Sequence, residues 1–327
     1  MTAYRALWVT EESGFSQQVV ERTLADLPAG EVLVRVHYSS LNYKDALSAS
    51  GNRGVTRNYP HTPGIDAAGV VEHSDAEGFA AGDEVIVTGY DLGMNTFGGL
   101  ADYIRVPASW LIKRPVGLSL REAMILGTAG FTAGLCVHKL LRAGLQPGDG
   151  DILITGATGG VGSVAVKLLS QLGYRVVAAT GKAEQAAFLQ QLGAAEVVDR
   201  SVLAEGTGKP MLKSRWAGAV DTVGGEILFN VIKSLNYGGS VACCGLTAGT
   251  DFAGNVFPFI LRGVNLLGVD SVELPLVAKA SMWDMLSLQW KMDLEALVEE
   301  ISLEQVPQAM AQILAGQQKG RVLVRMV

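Results

Sequence analysis

The sequence contains 327 residues, of which 49% are hydrophobic and 18% are charged. This length exceeds what one hydrophobic core usually holds, so we expect two domains of roughly 100 to 200 residues each. The high apolar content excludes an intrinsically disordered chain. The formal net charge of −6, from 32 acidic and 26 basic residues without a basic block, argues against nucleic acid as a partner.

Neither a membrane span nor export is expected. The uncharged apolar runs over residues 123–137 and 152–166 are shorter than about 18 residues and are broken by glycine. Glu11 and Glu12 interrupt the first segment before an apolar core of signal-peptide length can form. Three cysteines give no disulfide framework. Together these features predict a cytoplasmic protein.

The first part of the chain contains short apolar runs separated by turn residues. These runs occupy residues 31–38, 67–72, 83–88 and 103–106. Alternation of apolar and polar residues over such lengths predicts strands. Their spacing indicates an all-β or partly open barrel domain.

From about residue 151 the pattern changes to strand, glycine turn, helix and strand. Residues 151–155 and 175–180 are predicted strands that flank a helix, whose apolar residues recur at helical spacing from Val161. This alternation predicts a parallel sheet with helical crossovers. The remaining predicted elements are helices over residues 182–192 and 227–235 and strands over residues 196–199, 217–223, 239–244 and 321–327.

The loop GATGGVG, residues 156–162, follows the first of these strands and opens the helix. Glycines let the backbone turn sharply and approach a pyrophosphate, which the N–H groups at the positive end of the helix can bind. Read as G-x-G-x-x-G, the loop departs at its first position, where Ala157 stands, whereas Gly159 and Gly162 match. A tight strand-to-helix connection is the alternative, but the βαβ context favours a dinucleotide site.

The end of the second strand of this unit indicates which dinucleotide is bound. An NAD site would place an acidic residue there, whereas this chain has Thr180, Gly181 and Lys182. A hydroxyl, an open backbone N–H and a cation suit a 2′-phosphate, so the sequence predicts NADPH. Arg200, after the third strand, is a candidate second cation, and a solvated surface arginine is the alternative.

No zinc site is expected, because the four histidines and three cysteines form neither a C-x-x-C cluster nor an H-E-x-x-H motif. Tyr43, next to Lys44, is a candidate proton donor in a hydride-transfer reaction. The alternative for the segment Asn42 to Asp45 is a hydrogen-bonded surface turn. The residues alone therefore indicate an NADPH-dependent, metal-free oxidoreductase.

Several motifs resemble the medium-chain dehydrogenase/reductase superfamily, and the resemblance extends over essentially the whole chain. They are SLNYKDA at residues 40–46, PGID at 63–66, GGLA at 98–101, GTAGFTA at 127–133 and GGVG at 159–162. In zinc-dependent members a cysteine occupies the loop matching residues 42–45, and G-H-E stands where residues 64–66 read G-I-D. Because both ligand positions are lost here, the resemblance is to the zinc-independent, quinone oxidoreductase-like branch.

This resemblance implies an α/β fold, in which a Rossmann-type doubly wound parallel sheet is inserted in a GroES-like, partly open β-barrel. The expected domains are a GroES-like catalytic domain over residues 1–122, an NADPH-binding Rossmann domain over residues 123–265, and a return to the catalytic domain over residues 266–327. We also expect a homodimer.

Within the superfamily the chain resembles the bacterial acrylyl-coenzyme A reductase group. The motifs are NYGG at residues 236–239, CGL at 244–246, PFILR at 258–262, GVDSV at 268–272 and EISL at 300–303. The resemblance implies NADPH-dependent reduction of a short 2-enoyl-CoA, namely acryloyl-CoA to propionyl-CoA. The implied cofactor contacts are Tyr43, Thr158, Gly159, Gly160, Val161, Gly162, Thr180, Gly181, Lys182, Arg200, Leu246, Ile260 and Ser271, with Tyr43 also the candidate catalytic residue.

Two alternatives stay open. The first is an NADPH:quinone or general enone oxidoreductase, which would use the same cofactor. The second is a protein that binds NADPH without turnover. Turnover of an enoyl-CoA compared with that of a quinone separates these functions.

Overall fold

The computed structural model describes residues 2–327, which fold into two compact units. The first unit contains residues 2–128 and 271–327, and the second contains residues 129–270. One division between the units falls inside a long helix, at a point that no turn or linker signal marks in the sequence. The domain boundaries expected after residues 122 and 265 stay predictions.

The secondary-structure elements are numbered in chain order. The strands are β1 (Ala3–Glu11), β2 (Phe15–Thr23), β3 (Val32–Leu41), β4 (Asp66–Ser74), β5 (Glu84–Thr88), β6 (Tyr103–Val106), β7 (Ile112–Lys113), β8 (Asp151–Ile154), β9 (Val176–Thr180), β10 (Glu196–Asp199), β11 (Trp216–Asp221), β12 (Leu235–Cys243), β13 (Asn265–Gly268), β14 (Val298–Ser302) and β15 (Arg321–Arg325). The α-helices are α1 (Tyr43–Ala49), α2 (Leu120–Arg142), α3 (Gly160–Gln171), α4 (Ala186–Gln191), α5 (Gly225–Lys233), α6 (Phe257–Arg262), α7 (Leu276–Ser287) and α8 (Val306–Leu314).

The first unit is built on a seven-stranded sheet and a separate β1–β2 hairpin. The sheet has the order β14-β15-β3-β4-β5-β7, with β6 paired to β3. Val32, Val34 and Val36 alternate along β3 and are buried, as a strand with one face on a core requires. The last strand, β15, pairs antiparallel with β3 and sets Val322 opposite Leu41. A strand at the end of the chain therefore lies beside the segment that leads to Tyr43.

The second unit is a six-stranded parallel sheet of order β10-β9-β8-β11-β12-β13. Its central strands are buried on both faces, which explains why residues 176–180 read as a continuous apolar run. The chain builds outward from β8 to β10 and then from β11 to β13, so the order reverses between β8 and β11. Ligands of doubly wound sheets bind at the carboxyl ends of the strands beside such a switch point. The predicted fold class is confirmed.

Helix α2 is the one described helix long and apolar enough to cross a membrane by length and composition. However, 78% of its most apolar window is buried inside the protein, as in the core helix of a globular protein. The helix is also interrupted at Gly127, whose φ of 51° and ψ of −159° are not helical.

Three of the segments described from the sequence differ in the structure from their expected form. The helix predicted over residues 182–192 begins as a 3₁₀ turn, Ala183–Gln185, and only then continues as α4. Strand β12 begins at Leu235, because Gly238, with a φ of 74°, lets the strand pass through a sequence that looks like a turn. The segment Asn42 to Asp45 starts helix α1.

Candidate functional site

The glycine loop of the second unit connects β8 to α3 by close backbone packing. Gly156 has a φ of 58°, a conformation that favours glycine. A Cβ atom on Gly162 would lie 2.4 Å from the carbonyl oxygen of Gly156 and 2.8 Å from Cα of Ala157. The sequence therefore needs glycine here so that the first turn of α3 can pack directly against the loop.

The N-terminus of α3 is suited to bind an anion. Gly159 is the N-cap residue, and the first intrahelical bond runs from the N–H of Ser163 to the carbonyl of Gly159 at 2.9 Å. The N–H groups of Gly160, Val161 and Gly162 consequently have no acceptor within the helix. Together with the helix dipole they form the kind of site that binds a pyrophosphate.

The carboxyl end of β9 lies beside this loop. The hydroxyl oxygens of Thr158 and Thr180 are 3.3 Å apart, and both side chains are buried. The Thr180 hydroxyl also accepts from the N–H of Lys182 at 3.0 Å. Burial lowers the pKa of the Lys182 ammonium. The structure thus brings Thr158 of the glycine loop together with the predicted phosphate-binding segment.

Arg200 reaches the same place from the neighbouring strand. Parallel pairing of β9 and β10 sets Asp199 opposite Thr180, so the residues that follow the two strands are neighbours. A Cβ atom on Gly181 would lie only 2.7 Å from Nε of Arg200 and 3.0 Å from its Cζ. The side chain of Arg200, an exposed residue, therefore lies directly against Gly181.

A second loop, after β11, was not predicted from the sequence. The buried carboxylate of Asp221 accepts from the hydroxyl of Thr155 at 2.8 Å and from the N–H of Gly224 at 2.8 Å. Burial raises the pKa of this carboxyl group. A Cβ atom on Gly245 would lie 1.8 Å from the carbonyl oxygen of Thr222, so the turn after β12 packs closely against this loop. The signal that could have found it is DTVGG, an acidic residue and two glycines after a buried strand.

The remaining predicted contacts lie in different places. Leu246 is 57% exposed and adjoins the second loop, because a Cβ atom on Gly224 would lie 3.2 Å from its Cα. Ile260 is 69% exposed on α6. Ser271 is buried and belongs to the first unit. Ile260 belongs to the second unit, as the glycine loop does.

Tyr43 is the first residue of α1 and is 41% exposed. Its neighbour Asn42 caps the helix, and the N–H of Asn42 donates to Oδ2 of Asp45 at 2.8 Å. The Nζ atom of Lys44 lies 3.9 Å from the sulfur of Met94. A surface turn is therefore the wrong description of this segment, because Asp45 is completely buried.

The carboxylate of Asp66 collects hydrogen bonds from three segments of the first unit. It accepts from the Ser40 hydroxyl at 2.7 Å, from Nδ2 of Asn42 at 2.7 Å, and from the N–H and hydroxyl of Thr128 at 2.8 and 2.6 Å. Sequence reasoning missed this cluster, since its members come from β3, β4 and α2. Its members lie in three of the motifs noted above, SLNYKDA, PGID and GTAGFTA, but nothing local relates these motifs to one another.

The pKa of Asp45, a neighbour of this cluster, is raised well above its ordinary value. Burial and the nearby charge of Asp66 raise the pKa of the Asp45 carboxyl to about 7, although hydrogen bonds from Asn42 and from the N–H of Ile65 oppose the shift. Burial lowers the pKa of Arg321, and the charges of Asp66 and Asp45 oppose that shift. The hydrogen bonds at the start of α1 therefore depend on the protonation state of Asp45.

Throughout residues 2–327 there is no group of three or more His, Cys, Asp or Glu side chains that could hold a metal ion. The glycine loop, its helix N-terminus and the two cations fit a phosphate-bearing dinucleotide by the chemistry of their donors.

Two protein-family models match the chain. The model of the alcohol dehydrogenase GroES-like domain matches residues 28–116, and that of the zinc-binding dehydrogenase matches residues 160–287. YhfP of Bacillus subtilis, named as a quinone oxidoreductase, is 50% identical over 92% of each chain. Acrylyl-CoA reductase AcuI of Ruegeria pomeroyi is 47% identical over 96% of each chain. The chain belongs to the medium-chain dehydrogenase/reductase superfamily.

Its place in this superfamily is the zinc-independent, quinone oxidoreductase-like branch of oxidoreductases, as expected from the motifs. The crystal structure of the yhdH oxidoreductase of Salmonella enterica in complex with NADP has 45% identity and a TM-score of 0.96, and covers 99% of this chain and 100% of that one. The structure of B. subtilis yhfP with NAD bound has 48% identity, the same TM-score and the same coverage.

The raised pKa of Asp45 predicts how stability depends on pH. An aspartate titrates near 3.8 when unfolded and this one near 7 when folded, so the folded state holds the proton more tightly. The resulting stabilisation is complete below about pH 4 and is lost as the pH rises through 7. We expect the stability of Asp45→Asn relative to the wild type to increase between pH 5 and 8, by at most about 1.4 kcal/mol per pH unit.

Urea denaturation of both proteins across this pH range measures the difference. Asp284→Asn, on the exposed side of α7, is the control for removing one carboxylate. A difference between Asp45→Asn and the wild type that does not change with pH contradicts the prediction.

Proposed function

We propose that the protein reduces the C=C bond of a short 2-enoyl-CoA with NADPH, and that its substrate is acryloyl-CoA, which it converts to propionyl-CoA. The observation that supports NADPH is the side chain of Arg200 lying against Gly181, which stands between Thr180 and Lys182 at the end of β9. The name of the AcuI relative supports the substrate. The NADP complex of the Salmonella neighbour agrees with this cofactor, whereas the yhfP neighbour was crystallised with NAD.

When bound, NADPH supplies the hydride that the β-carbon of the enoyl thioester accepts. In this proposal the N-terminus of α3 binds the pyrophosphate, and Thr180, Lys182 and Arg200 bind the 2′-phosphate. Leu246, Ile260 and Ser271 complete the set of cofactor contacts. The chain's task is to bind both partners and to orient them for hydride transfer.

Two cations, Lys44 and Arg57, support a substrate with a phosphate-bearing carrier over a simple quinone, because Lys44 follows Tyr43 and the two contact the adjacent residues Met94 and Asn95. In the described residues the Lys44 ammonium donates to the Met94 sulfur at 3.9 Å, and a thioether is a weak acceptor. Arg57 is exposed, and its backbone is held on both sides, because its N–H donates to Asn95 and its carbonyl accepts from Arg53. Neither Lys44 nor Arg57 takes part in an ion pair within residues 2–327. Coenzyme A carries three phosphate groups that such cations can bind.

The proposed cofactor specificity predicts a selective effect of the two cations. Lys182→Ala and Arg200→Ala should each raise the KM for NADPH by roughly 10- to 100-fold, because each removes a charge-assisted contact worth about 1.5 to 3 kcal/mol. The KM for NADH should change little, because NADH lacks the phosphate. Steady-state kinetics with both cofactors measures the split.

Two further variants sharpen this test. Gly181→Ala adds a methyl group where Nε of Arg200 lies at 2.7 Å, so it should displace the guanidinium and weaken NADPH selectively. Arg215→Ala, an exposed arginine that pairs with Glu196 at 3.7 Å, is the matched control and should leave both KM values unchanged. Equal increases in the KM for NADPH and the KM for NADH would contradict the assignment of Lys182 and Arg200 to the 2′-phosphate.

The substrate is tested by comparing three acceptors under NADPH: acryloyl-CoA, acryloyl-pantetheine and a benzoquinone. We expect the highest kcat/KM with acryloyl-CoA. Combining Lys44→Met with Arg57→Gln should raise the KM for acryloyl-CoA at least tenfold, and leave acryloyl-pantetheine, which lacks phosphate, unaffected. Turnover of the quinone alone supports the quinone reductase, and saturable NADPH binding without any turnover supports the non-catalytic alternative.

We propose that Tyr43 contacts NADPH as a positioning residue. Because the side chain is 41% exposed, water can reach the same place and protonate the α-carbon. Tyr43→Phe should therefore weaken NADPH binding by about fivefold, the equivalent of one hydrogen bond, and change kcat little. Fluorescence titration of NADPH and steady-state kinetics measure the two effects. A fall in kcat of about 10² with unchanged affinity would instead make the hydroxyl the general acid.

We infer that two copies of the chain pair through β13, the edge strand of the parallel sheet. Its sequence, NLLG, contains no proline or charged residue to block pairing, and Leu266 is 39% exposed. A two-fold axis at this edge would pair β13 with itself, which satisfies the free backbone groups of both copies. Light scattering after gel filtration should give a dimer that Leu266→Lys converts to monomers; a monomeric wild type contradicts the inference.

A further inference from the structure

The peptide group that joins Leu41 to Asn42 is held on both sides by buried charged groups. The carbonyl oxygen of Leu41 accepts from Nη1 of Arg321 at 3.1 Å. The N–H of Asn42, in the same peptide group, donates to Oδ2 of Asp45 at 2.8 Å. A buried cation and a buried carboxylate thus fix the orientation of the backbone immediately before Tyr43.

The Asn42 side chain is fixed as well. Its Nδ2 donates to Oδ2 of Asp66 at 2.7 Å, while the second oxygen of Asp45 accepts from the N–H of Ile65 at 2.8 Å. Asp45 therefore ties the first turn of α1 to the segment that enters β4. The backbone N–H and the side-chain amide of Asn42 thus both donate to carboxylates of this cluster.

The burial of these charged groups lowers the stability of the fold. Asp45, Asp66 and Arg321 are all buried, yet none of them forms an ion pair within 4 Å in residues 2–327. The Nη2 atom of Arg321 is buried without a hydrogen-bond partner. Neutral side chains of similar size usually hold a fold at lower cost than such charges. This loss of stability indicates that the charged groups have a role other than stabilising the fold, namely to fix the backbone before Tyr43.

Helix α2 adapts to the same cluster. A Cβ atom on Gly127 would lie 2.3 Å from the Ser40 hydroxyl, 2.6 Å from Oδ2 of Asp66 and 2.9 Å from Nη2 of Arg321. The helix breaks at this glycine, and the carboxylate of Asp66 accepts from the N–H of Thr128, the next residue. The 23-residue helix is thus interrupted at the position where it contacts the charged groups.

We propose that Asp45 is a positioning residue for Tyr43: its carboxylate fixes the Leu41–Asn42 peptide and thereby aims the first turn of α1 at NADPH. This inference rests on the proposed function, in which Tyr43 contacts the cofactor. Asp45 does not touch the reacting atoms. The charged groups that face it are Asp66 from β4 and Arg321 from β15. Protonation of Asp45 weakens its hold on the two N–H groups, so Tyr43 loses its orientation at low pH.

The experiment compares the pH dependence of kcat/KM for NADPH in four proteins: the wild type, Asp45→Asn, Tyr43→Ala and the double variant. In the wild type kcat/KM should fall as the pH decreases through about 7, the pKa of Asp45. Asp45→Asn should be at least tenfold less active at pH 8 and should lack this ionisation. In the Tyr43→Ala background, Asp45→Asn should change kcat/KM by less than twofold, because the residue it positions is gone.

Ser48→Ala is the control for a merely structural role. Its buried hydroxyl, 2.7 Å from the hydroxyl of Thr56, lies on the same helix as Tyr43. This variant should lower the stability of α1 and leave the pH profile of the wild type in place. If Asp45→Asn does not fold, the wild type and Tyr43→Ala still decide the matter, since only the former should lose activity around pH 7.

Three results would overturn the proposal. The first is an unchanged pH profile in Asp45→Asn, and the second is an equal loss of activity from this substitution with and without Tyr43. Both leave the proposed function intact, provided that Tyr43→Ala is impaired. The third is a Tyr43→Ala variant with normal NADPH kinetics, which refutes the role of Tyr43 itself.

Discussion

The hydrogen bonds to Asp66 are the interaction on which the first unit depends at its candidate site. A carboxylate has two oxygens and about four acceptor positions, and the donors from Ser40, Asn42 and Thr128 use four of them. Each donor comes from a separate segment. Removing this acceptor would leave several buried donors without a partner, at about 1 to 3 kcal/mol each. One side chain therefore fixes the end of β3, the start of α1 and the break in α2.

The second unit uses the same device at the carboxyl edge of its sheet. Asp221 is buried at the end of β11 and accepts from Thr155 and Gly224, so it fixes the loops that follow two adjacent parallel strands. In both units a buried aspartate replaces the backbone acceptors that an irregular loop lacks. The loops next to each candidate site consequently have defined conformations without belonging to a helix or a strand.

The elements of the second unit were predictable because their signals are local. A buried parallel strand is a continuous apolar run, and the helix after it repeats every three to four residues. Helix α1 was not predictable in this way. It is short, and its start depends on Asp45, whose burial comes from packing with distant segments. Likewise Arg321 reads as one residue of an alternating strand, although its guanidinium bonds to the carbonyls of Ile125 and Leu41, 196 and 280 residues away.

The neighbourhood of Thr180 shows how a weak sequence signal becomes a site. In the sequence Arg200 stands 20 residues after Thr180, and nothing local relates the two. Parallel pairing brings the ends of β9 and β10 side by side, and Gly181, which lacks a side chain, leaves room for the guanidinium. An acidic residue at the end of β9 would bind a ribose diol and repel a phosphate. Two cations and a hydroxyl instead attract a phosphate. This edge of the sheet therefore prefers the phosphorylated cofactor, even though a relative of similar fold was crystallised with NAD.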